Sequence, residues 1–412
     1  MSRQLRIVCP TYWYPNSATD MRAIYVHDIN RHLVQRGHRV CVITPAGPGV
    51  AMKEVLDGVE IRRFLLTVPE DLAYGKVAQS KVGFVNRLVR MRVMAQYLWR
   101  QCGAVLEYAK DFPPDIIHGH WAIPTGPALV RAARKLGVPS VITMHGGDVY
   151  VNKAEGYDFP TRPYVRPVLR WTLKNASALT AISDDCVNHA LRAGASIDKI
   201  HLIMNGADLR RFSPASEVPG ADRAYGAKMV FACRQLFPRK GIRFLIEAVA
   251  KLRPLHPEIK LVIAGDGFER PELEALADKL QVRDITTFLG WVANSNLPPF
   301  FRACAVSVIP SLEEGFGIPA AEAMGCEAPV VATDAGGLPE VVADGVTGFV
   351  VPKGDAAALA DAIGKLLSDP ALAKRMGKAG RLRALERFDW MRAAERFESL
   401  YESLLAAPGV PA

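Results

Sequence analysis

Short, continuously apolar runs alternate with amphipathic stretches along nearly the whole chain, and this alternation narrows the folds open to it. Strands are predicted at Leu5–Cys9, Val40–Thr44, Ile116–His118, Ser140–His145, Leu179–Ser183 and Ile200–Met204, with helices over Arg22–Arg36, Pro124–Leu136 and Arg166–Lys174. Gly37 and Gly137 stand where helix stops belong. The pattern starts again at Met229–Cys233 and continues through Leu261–Ala264, Thr286–Leu289, Val306–Ile309, Pro329–Ala332 and Gly348–Val351. Strands that are apolar throughout need cover on both faces, and intervening helices make the crossovers of parallel sheets. The expectation is an α/β protein of two Rossmann-like, doubly wound parallel-sheet domains, covering 1–206 and 207–390 and joined near Asn205–Pro219. Ligands of such sheets bind beyond the carboxyl ends of the strands, so the two sets of loops should face each other across a cleft.

A chain of 412 residues, half of them hydrophobic, can supply two cores of that kind. No apolar run is long enough to span a bilayer, and MSRQLRIVCP reads as the approach to a first strand, not a signal peptide. The seven cysteines form no C-x-x-C pair, which predicts neither a disulfide framework nor a zinc site and suits a reducing cytoplasm. The net charge of +9 is uneven: residues 1–190 hold 24 Lys and Arg against 15 Asp and Glu, whereas residues 191–412 hold 27 of each. An anionic partner for the first half would explain that asymmetry. The basic stretches fit no nucleic-acid-binding module.

The most informative segment is SLEEGFGIPAAEAMGCEAPVVATDAGGLPE, from Ser311 to Glu340. Glu314 and Glu322 bracket the turn Gly315-Phe316-Gly317, and Pro319 opens a short helix that should carry Glu322 in its first turn. Glycines allow close backbone approach, helix-terminal amides suit an anion, and carboxylates accept hydrogen bonds from hydroxyls. Together these are what a nucleotide sugar demands. An ordinary capped strand-to-helix loop would explain the glycines but not both glutamates. In FACRQLFPRKGIRFL, Arg234 and Lys240 flank a loop that enters a helix near Gly241. Two cations there oppose the helix dipole, and an anion between them would relieve the conflict. Alone, the RKG triplet reads as a solvated basic loop. His120 and His145 sit where a strand becomes a loop, whereas His118 is still within its strand and reads as structural.

The segment EGFGIPAAEAMGC followed by PVVATDAGGLPEVV resembles the signature of the family 4 retaining glycosyltransferases, in which two glutamates are separated by seven residues. The resemblance runs from the first strand to the helix at Trp390. It implies the GT-B fold, with the last helix, Met391–Ala406, returning to the first domain so that 391–412 belongs there. It implies that Glu322 holds the ribose hydroxyls of a donor nucleotide, that Arg234 and Lys240 hold the diphosphate, and that Glu314 with Gly315, Phe316 and Gly317 addresses the transferred sugar. His120 and His145 would approach the donor sugar and the reacting bond; Asp148 would touch a sugar or cap the turn that follows it. Asn205-Gly206 with Asp208 resembles the family's hinge, and Trp291 either lies where backbone reads the base or simply packs.

There is one departure. Relatives carry paired glycines in the first loop near the donor phosphates, where this chain has Asp20, Met21 and Ala23, and a Cβ at each restricts positive φ. With no D-x-D and no metal-ligand cluster, neither a metal nor another cofactor is expected. The function implied is retaining transfer from a nucleotide diphosphate sugar, a UDP-sugar favoured, to the hydroxyl of a glycan or lipid-linked acceptor, in cell-surface glycan or glycolipid synthesis. The alternatives are a nucleotide-sugar-binding protein without turnover, and an epimerase. The segment Lys76–Arg100 is basic and apolar at helical spacing without an acidic residue, so it either lies on an anionic membrane surface on the cytoplasmic face or packs in the core.

Overall fold

The computed structural model describes residues 3–17, 20, 22–47, 49–66, 84–150, 162–214, 226 and 228–407, with the side chains of 84–90 excepted. Two compact units emerge, Met1–Ile203 with Ala393–Ala412, and Met204–Arg392.

The first unit contains β1 (Arg6–Pro10), β2 (Arg39–Pro45), β3 (Lys53–Leu56), β4 (Val59–Phe64), β5 (Ile116–His120), β6 (Ser140–Met144), β7 (Ala178–Ala181) and β8 (Ile200–Leu202). Among the described residues they form one sheet in the order β3-β4-β2-β1-β5-β6-β7-β8. Residues of β1, β5 and β6 are almost all buried, as parallel strands covered on both faces must be. Two strands, β3 and β4, were not foreseen, and β3 runs antiparallel to β4. Their turn is Asp57-Gly58, both at positive φ, the backbone of a tight hairpin whose twist matches that of its strands. The signal was present as an Asp-Gly pair, but β3 is a half-exposed edge strand and β4, inside the sheet, carries Glu60, Arg62 and Arg63 among its apolar residues, so neither has a continuous apolar run.

A helix over Phe84–Asp111 covers part of this unit. Its Tyr97 is buried, with the hydroxyl 3.2 Å from Thr125 Oγ1, and Gln101 donates to the Thr11 carbonyl at 3.4 Å. Met91, Arg92, Trp99 and Arg100 are on its exposed side. The helix therefore packs along one face and leaves basic and apolar groups on the other. Lys76 and Lys81, and the side chains of Arg87 and Arg90, lie outside the described residues.

The second unit contains β9 (Met229–Cys233), β10 (Lys260–Ala264), β11 (Thr286–Gly290), β12 (Val306–Ile309), β13 (Val330–Thr333) and β14 (Gly348–Val351). They lie in the order β11-β10-β9-β12-β13-β14, all parallel. The helix Ile242–Leu252 buries Ile242, Leu245, Ile246 and Val249 against this sheet, the i, i+3, i+4, i+7 stripe of an amphipathic helix. Each such side chain contributes about 1.5–3 kcal/mol by leaving water.

The last helix, Trp390–Ala406, begins in the second unit and belongs to the first from Ala393 onward. There Glu398 pairs with Arg36 and lies 3.2 Å from His38. The Tyr401 hydroxyl is 2.6 Å from His118 Nδ1. No helix among the described residues is long and apolar enough to cross a membrane.

Candidate active site

In each unit the chain leaves the first strand to one side and later returns to fill the other, so neighbouring loops diverge. That crevice falls between β1 and β5 in the first unit and between β9 and β12 in the second. Open parallel sheets bind ligands at such points, beyond the carboxyl ends of the strands.

In the second unit Arg234 follows β9 directly, and Ser311 to Glu314 follow β12. Glu314 Oε2 ion-pairs with the Arg234 guanidinium and lies 2.9 Å from Lys240 Nζ. Arg234 also donates to Ser311 Oγ at 2.7 Å. The two cations expected to clamp a diphosphate thus hold a carboxylate between them, and the glutamate expected at the sugar is that carboxylate. Burial lowers the Arg234 pKa to about 10, still far above neutrality, so the guanidinium stays charged. Its Nε is buried without a partner among the described residues.

Backbone contacts set this geometry. The Arg239 carbonyl accepts from the amides of Leu312 at 2.8 Å and Glu313 at 3.3 Å, tying the Pro238–Lys240 turn to the loop after β12. Gly241 is at φ +66°, and a Cβ there would stand 1.9 Å from the Pro310 carbonyl oxygen, so only glycine permits the approach. Gly265 is the second such position: it lies at φ +137°, and a Cβ would stand 1.7 Å from the Arg234 carbonyl oxygen. The Gly265-Asp266-Gly267 triplet, unremarkable in the sequence, is therefore the floor under Arg234. Hydrogen bonds Arg234 N–H to Ala264 O and Leu236 N–H to Asp266 O fix it there.

The helix after the glycine turn spans Ile318–Gly325 with Gly317 as its N-cap. Glu322 accordingly falls in the second turn and not, as expected, in the first. Proline is tolerated one position further in than the sequence reading placed it, because the amides of the whole first turn lack intrahelical partners. Glu322 is buried, and its charge acts on both Cys233 and Arg234. Phe316 is a core residue set edge-on against Phe388, with ring centroids 5.5 Å apart, so any contact it makes to a ligand would be through its backbone. Gly315 lies between Glu314 and Phe316, in the turn that brings the chain from the carboxylate to the core. Asn205 is buried near the start of the second unit, two residues before Ala207, whose amide donates to the Phe388 carbonyl at 2.8 Å. Trp291 is 57 % exposed and does not serve the core.

In the first unit, His120 ends β5 and His145 follows β6, both at the junction of strand and loop expected for them. Their rings stack with centroids 5.1 Å apart, and His120 Nδ1 is 2.9 Å from His145 Nε2. Burial drives both pKa values down, that of His145 to about 3, so the pair is neutral at physiological pH. His120 Nε2 and His145 Nδ1 are buried without a partner among the described residues. His118 is structural, as expected: its ring bridges Tyr401 and Thr143 Oγ1.

Asp148, a candidate for sugar contact or for capping, points its carboxylate at backbone. One oxygen accepts from the Ala122 amide at 2.6 Å and the other from the His145 amide at 3.1 Å. Burial raises its pKa to about 6. It braces the loops after β5 and β6, and through them both imidazoles.

The departure in the first loop is also corrected. Ala23 adopts φ 50°, ψ 35° despite its Cβ, and caps the helix Ile24–Gln35. The conformation that glycine would favour is kept at some strain. Asp20 accepts from the amides of Asn16 and Arg22 and pairs with the Arg22 guanidinium at 2.7 Å. Met21 lies outside the described residues. Among the described residues no group of three or more His, Cys, Asp or Glu is placed to hold a metal ion.

Residues 23–211 match the family model described as Glycosyltransferase Family 4, and residues 221–383 the one described as Glycosyl transferases group 1. The chain is 30% identical to a D-inositol 3-phosphate glycosyltransferase of Kribbella flavida over 92% of its own length and 90% of the relative's. It is 27% identical to a glycogen synthase of Mycobacterium tuberculosis over 96% and 94%. Among solved structures, the sucrose-phosphate synthase of Thermosynechococcus elongatus superposes with a TM-score of 0.77 at 24% identity, over 98% of this chain and all of that one. Anabaena HepE, in complex with UDP and glucose, superposes with a TM-score of 0.72 at 20% identity, over 97% and 100%. On family matches to both halves and a relative aligned over nine-tenths of both chains, this chain belongs to the family 4 glycosyltransferases, has their GT-B fold, and is an enzyme that transfers sugar from a nucleotide sugar.

Proposed function

We propose that the transfer is retaining and metal-independent, from a nucleotide diphosphate sugar with UDP favoured as carrier, to a hydroxyl of a glycan or lipid-linked acceptor. The observation that carries this reading is the Arg234–Glu314–Lys240 cluster at the crevice between β9 and β12: two cations converge on one anion, in a turn held by backbone contacts. A diphosphate offers the same cations more charge and more oxygens than a single carboxylate. UDP is favoured because Anabaena HepE, similar over its whole length, is described in complex with it.

In this mechanism Arg234 and Lys240 bind the diphosphate and take up the negative charge that grows on the leaving phosphate as its bond to the sugar's anomeric carbon breaks. The acceptor oxygen forms its bond on the same face, and its proton passes to the departing phosphate oxygen, so configuration is kept and no enzyme base is consumed. Glu322 holds the ribose hydroxyls. Glu314 turns from the cations to the sugar hydroxyls. His120 and His145, neutral and braced by Asp148, act as hydrogen-bonding groups and not as proton stores. The seven unpaired thiols suit a cytoplasmic site of action, and a role in cell-surface glycan or glycolipid synthesis is proposed with it.

Lys240→Ala and Glu322→Ala are expected to cut transfer by two orders of magnitude or more while the melting temperature moves little, because both side chains serve a loop or a ligand-facing turn. Activity should persist in EDTA. Wild-type turnover in both variants, or activity lost to EDTA and restored by Mg²⁺, would overturn the reading.

A further inference from the structure

The loop after β1 reads Thr11-Tyr12-Trp13-Tyr14, and its rings are sorted by depth. Tyr14 turns inward, its hydroxyl 2.7 Å from His27 Nδ1. Trp13 turns outward and is 42 % exposed, while its carbonyl is held by Thr11 Oγ1 at 3.0 Å. Behind the indole stand Tyr12, with ring centroids 5.7 Å apart, and Trp121, edge-on at 5.9 Å. Tyr12 rests in turn on buried Tyr97 at 4.9 Å, so the platform is anchored to the core. Trp121 continues the series to His145 at 5.3 Å, and Tyr25 closes on the same imidazole at 4.6 Å.

Two local costs meet at this spot. An indole 42 % exposed forgoes part of its burial free energy. Trp121 sits at φ +68°, a left-handed conformation that a bulky side chain adopts only under constraint from its surroundings. Neither cost is returned as core packing at Trp13. Both are returned if a ligand covers the indole. The same edge carries the two imidazole nitrogens without partners, His120 Nε2 and His145 Nδ1. An aromatic face beside hydrogen-bonding groups is the chemistry that holds a pyranose: C–H bonds of one ring face against the indole, hydroxyls towards polar atoms.

Charge separates neutral from phosphorylated sugars. Arg22 is paired with Asp20. Arg63 is engaged by Glu54 and by the carbonyls of Ala51 and Pro15. These two guanidinium groups are thus already committed, and a phosphate would have to displace an existing partner to use either.

We propose that Trp13, backed by Tyr12 and Trp121, is the acceptor subsite and that it takes the face of an uncharged pyranose, at the end of a glycan or of a lipid-linked saccharide. This rests on the glycosyltransferase reading above, and names the acceptor's chemistry.

The test uses the full chain, with saturation-transfer NMR and indole fluorescence against a panel of neutral glycans (maltose, cellobiose, lactose, α-1,6-mannobiose) and of sugar phosphates (glucose 6-phosphate, mannose 6-phosphate, inositol 1-phosphate). Neutral glycans should bind and sugar phosphates should not. Trp13→Ala should weaken glycan binding at least tenfold, and Trp13→Phe should keep most of it. Binding confined to the sugar phosphates, glycan binding indifferent to Trp13→Ala, or no binding by any neutral glycan would overturn the proposal. UDP affinity, measured on the same samples, reports the donor reading separately. It should be equal in wild type and in both Trp13 variants.

Discussion

Residue by residue, the side chains with the sharpest sequence signals are also the ones that meet in space. Arg234, Lys240 and Glu314 are 80 positions apart at the widest and share one carboxylate oxygen. Their residue types and loop context were legible because phosphate and sugar chemistry needs charge at strand ends. That Glu314 would occupy the clamp was not legible, since nothing in a linear spacing says which of several oppositely charged groups pairs with which. The prediction at this scale concerns that pairing. Glu314→Gln removes a negative charge beside the two cations, so UDP should bind roughly tenfold more tightly, about 1.4 kcal/mol, while transfer falls. Isothermal titration calorimetry with UDP reads it, and weaker or unchanged binding would contradict the competition. Ala23 marks the opposite limit of sequence reading. Its Cβ argued against a left-handed backbone, yet the fold over-determines φ 50° there and accepts the strain.

At the scale of elements, strands buried on both faces were legible to within a residue or two, because continuous apolar runs have few other uses. The hairpin of β3 and β4 was not, because β3 is a half-exposed edge strand and β4 interrupts its apolar residues with Glu60, Arg62 and Arg63. A second property belongs to the paired strand ends β5 and β6. His118, His120 and His145 are neutral in the folded chain because burial lowers their pKa values, to about 3 for the first and third. Between pH 6.5 and 3 the unfolded chain binds protons there that the folded chain refuses, so stability falls on acidification. The slope is about 1.4 kcal/mol per pH unit for each imidazole. Asp148 opposes this: with a folded pKa raised to about 6, the native state holds a proton between roughly pH 4 and 6 that the unfolded chain has released. Three imidazoles outweigh one carboxyl. The urea midpoint should therefore drop from pH 7 to pH 5, with a shallower slope in His145→Gln; a flat or rising midpoint would count against the buried neutral cluster.

For the whole molecule, the charge asymmetry and the helix Phe84–Asp111 bear on where the enzyme works. The positive excess lies in the first half, and the exposed side of that helix combines Met91, Arg92, Trp99 and Arg100, with the Arg100 guanidinium over the Trp99 ring at 5.3 Å. We propose peripheral attachment to an anionic leaflet through this side, at about 1 kcal/mol per basic residue near the surface. Sedimentation with phosphatidylserine vesicles should show binding that weakens with salt and is lost when Arg92, Trp99 and Arg100 are all replaced by Ser. Equal indifference to anionic and neutral vesicles at low salt would remove the idea.

The order in which the chain is made gives the last helix a further meaning. Residues 393–406 complete the unit that residues 1–203 began, and about 190 residues of the other unit are synthesised in between. At roughly 5–20 residues per second the ribosome needs on the order of ten to forty seconds to cover that stretch. For that time the partners that Glu398 gives Arg36 and His38, and Tyr401 gives His118, have not yet been made. Docking of this helix must therefore wait until its own residues have been made, and the bracing of His118 beside the His120–His145 pair waits with it.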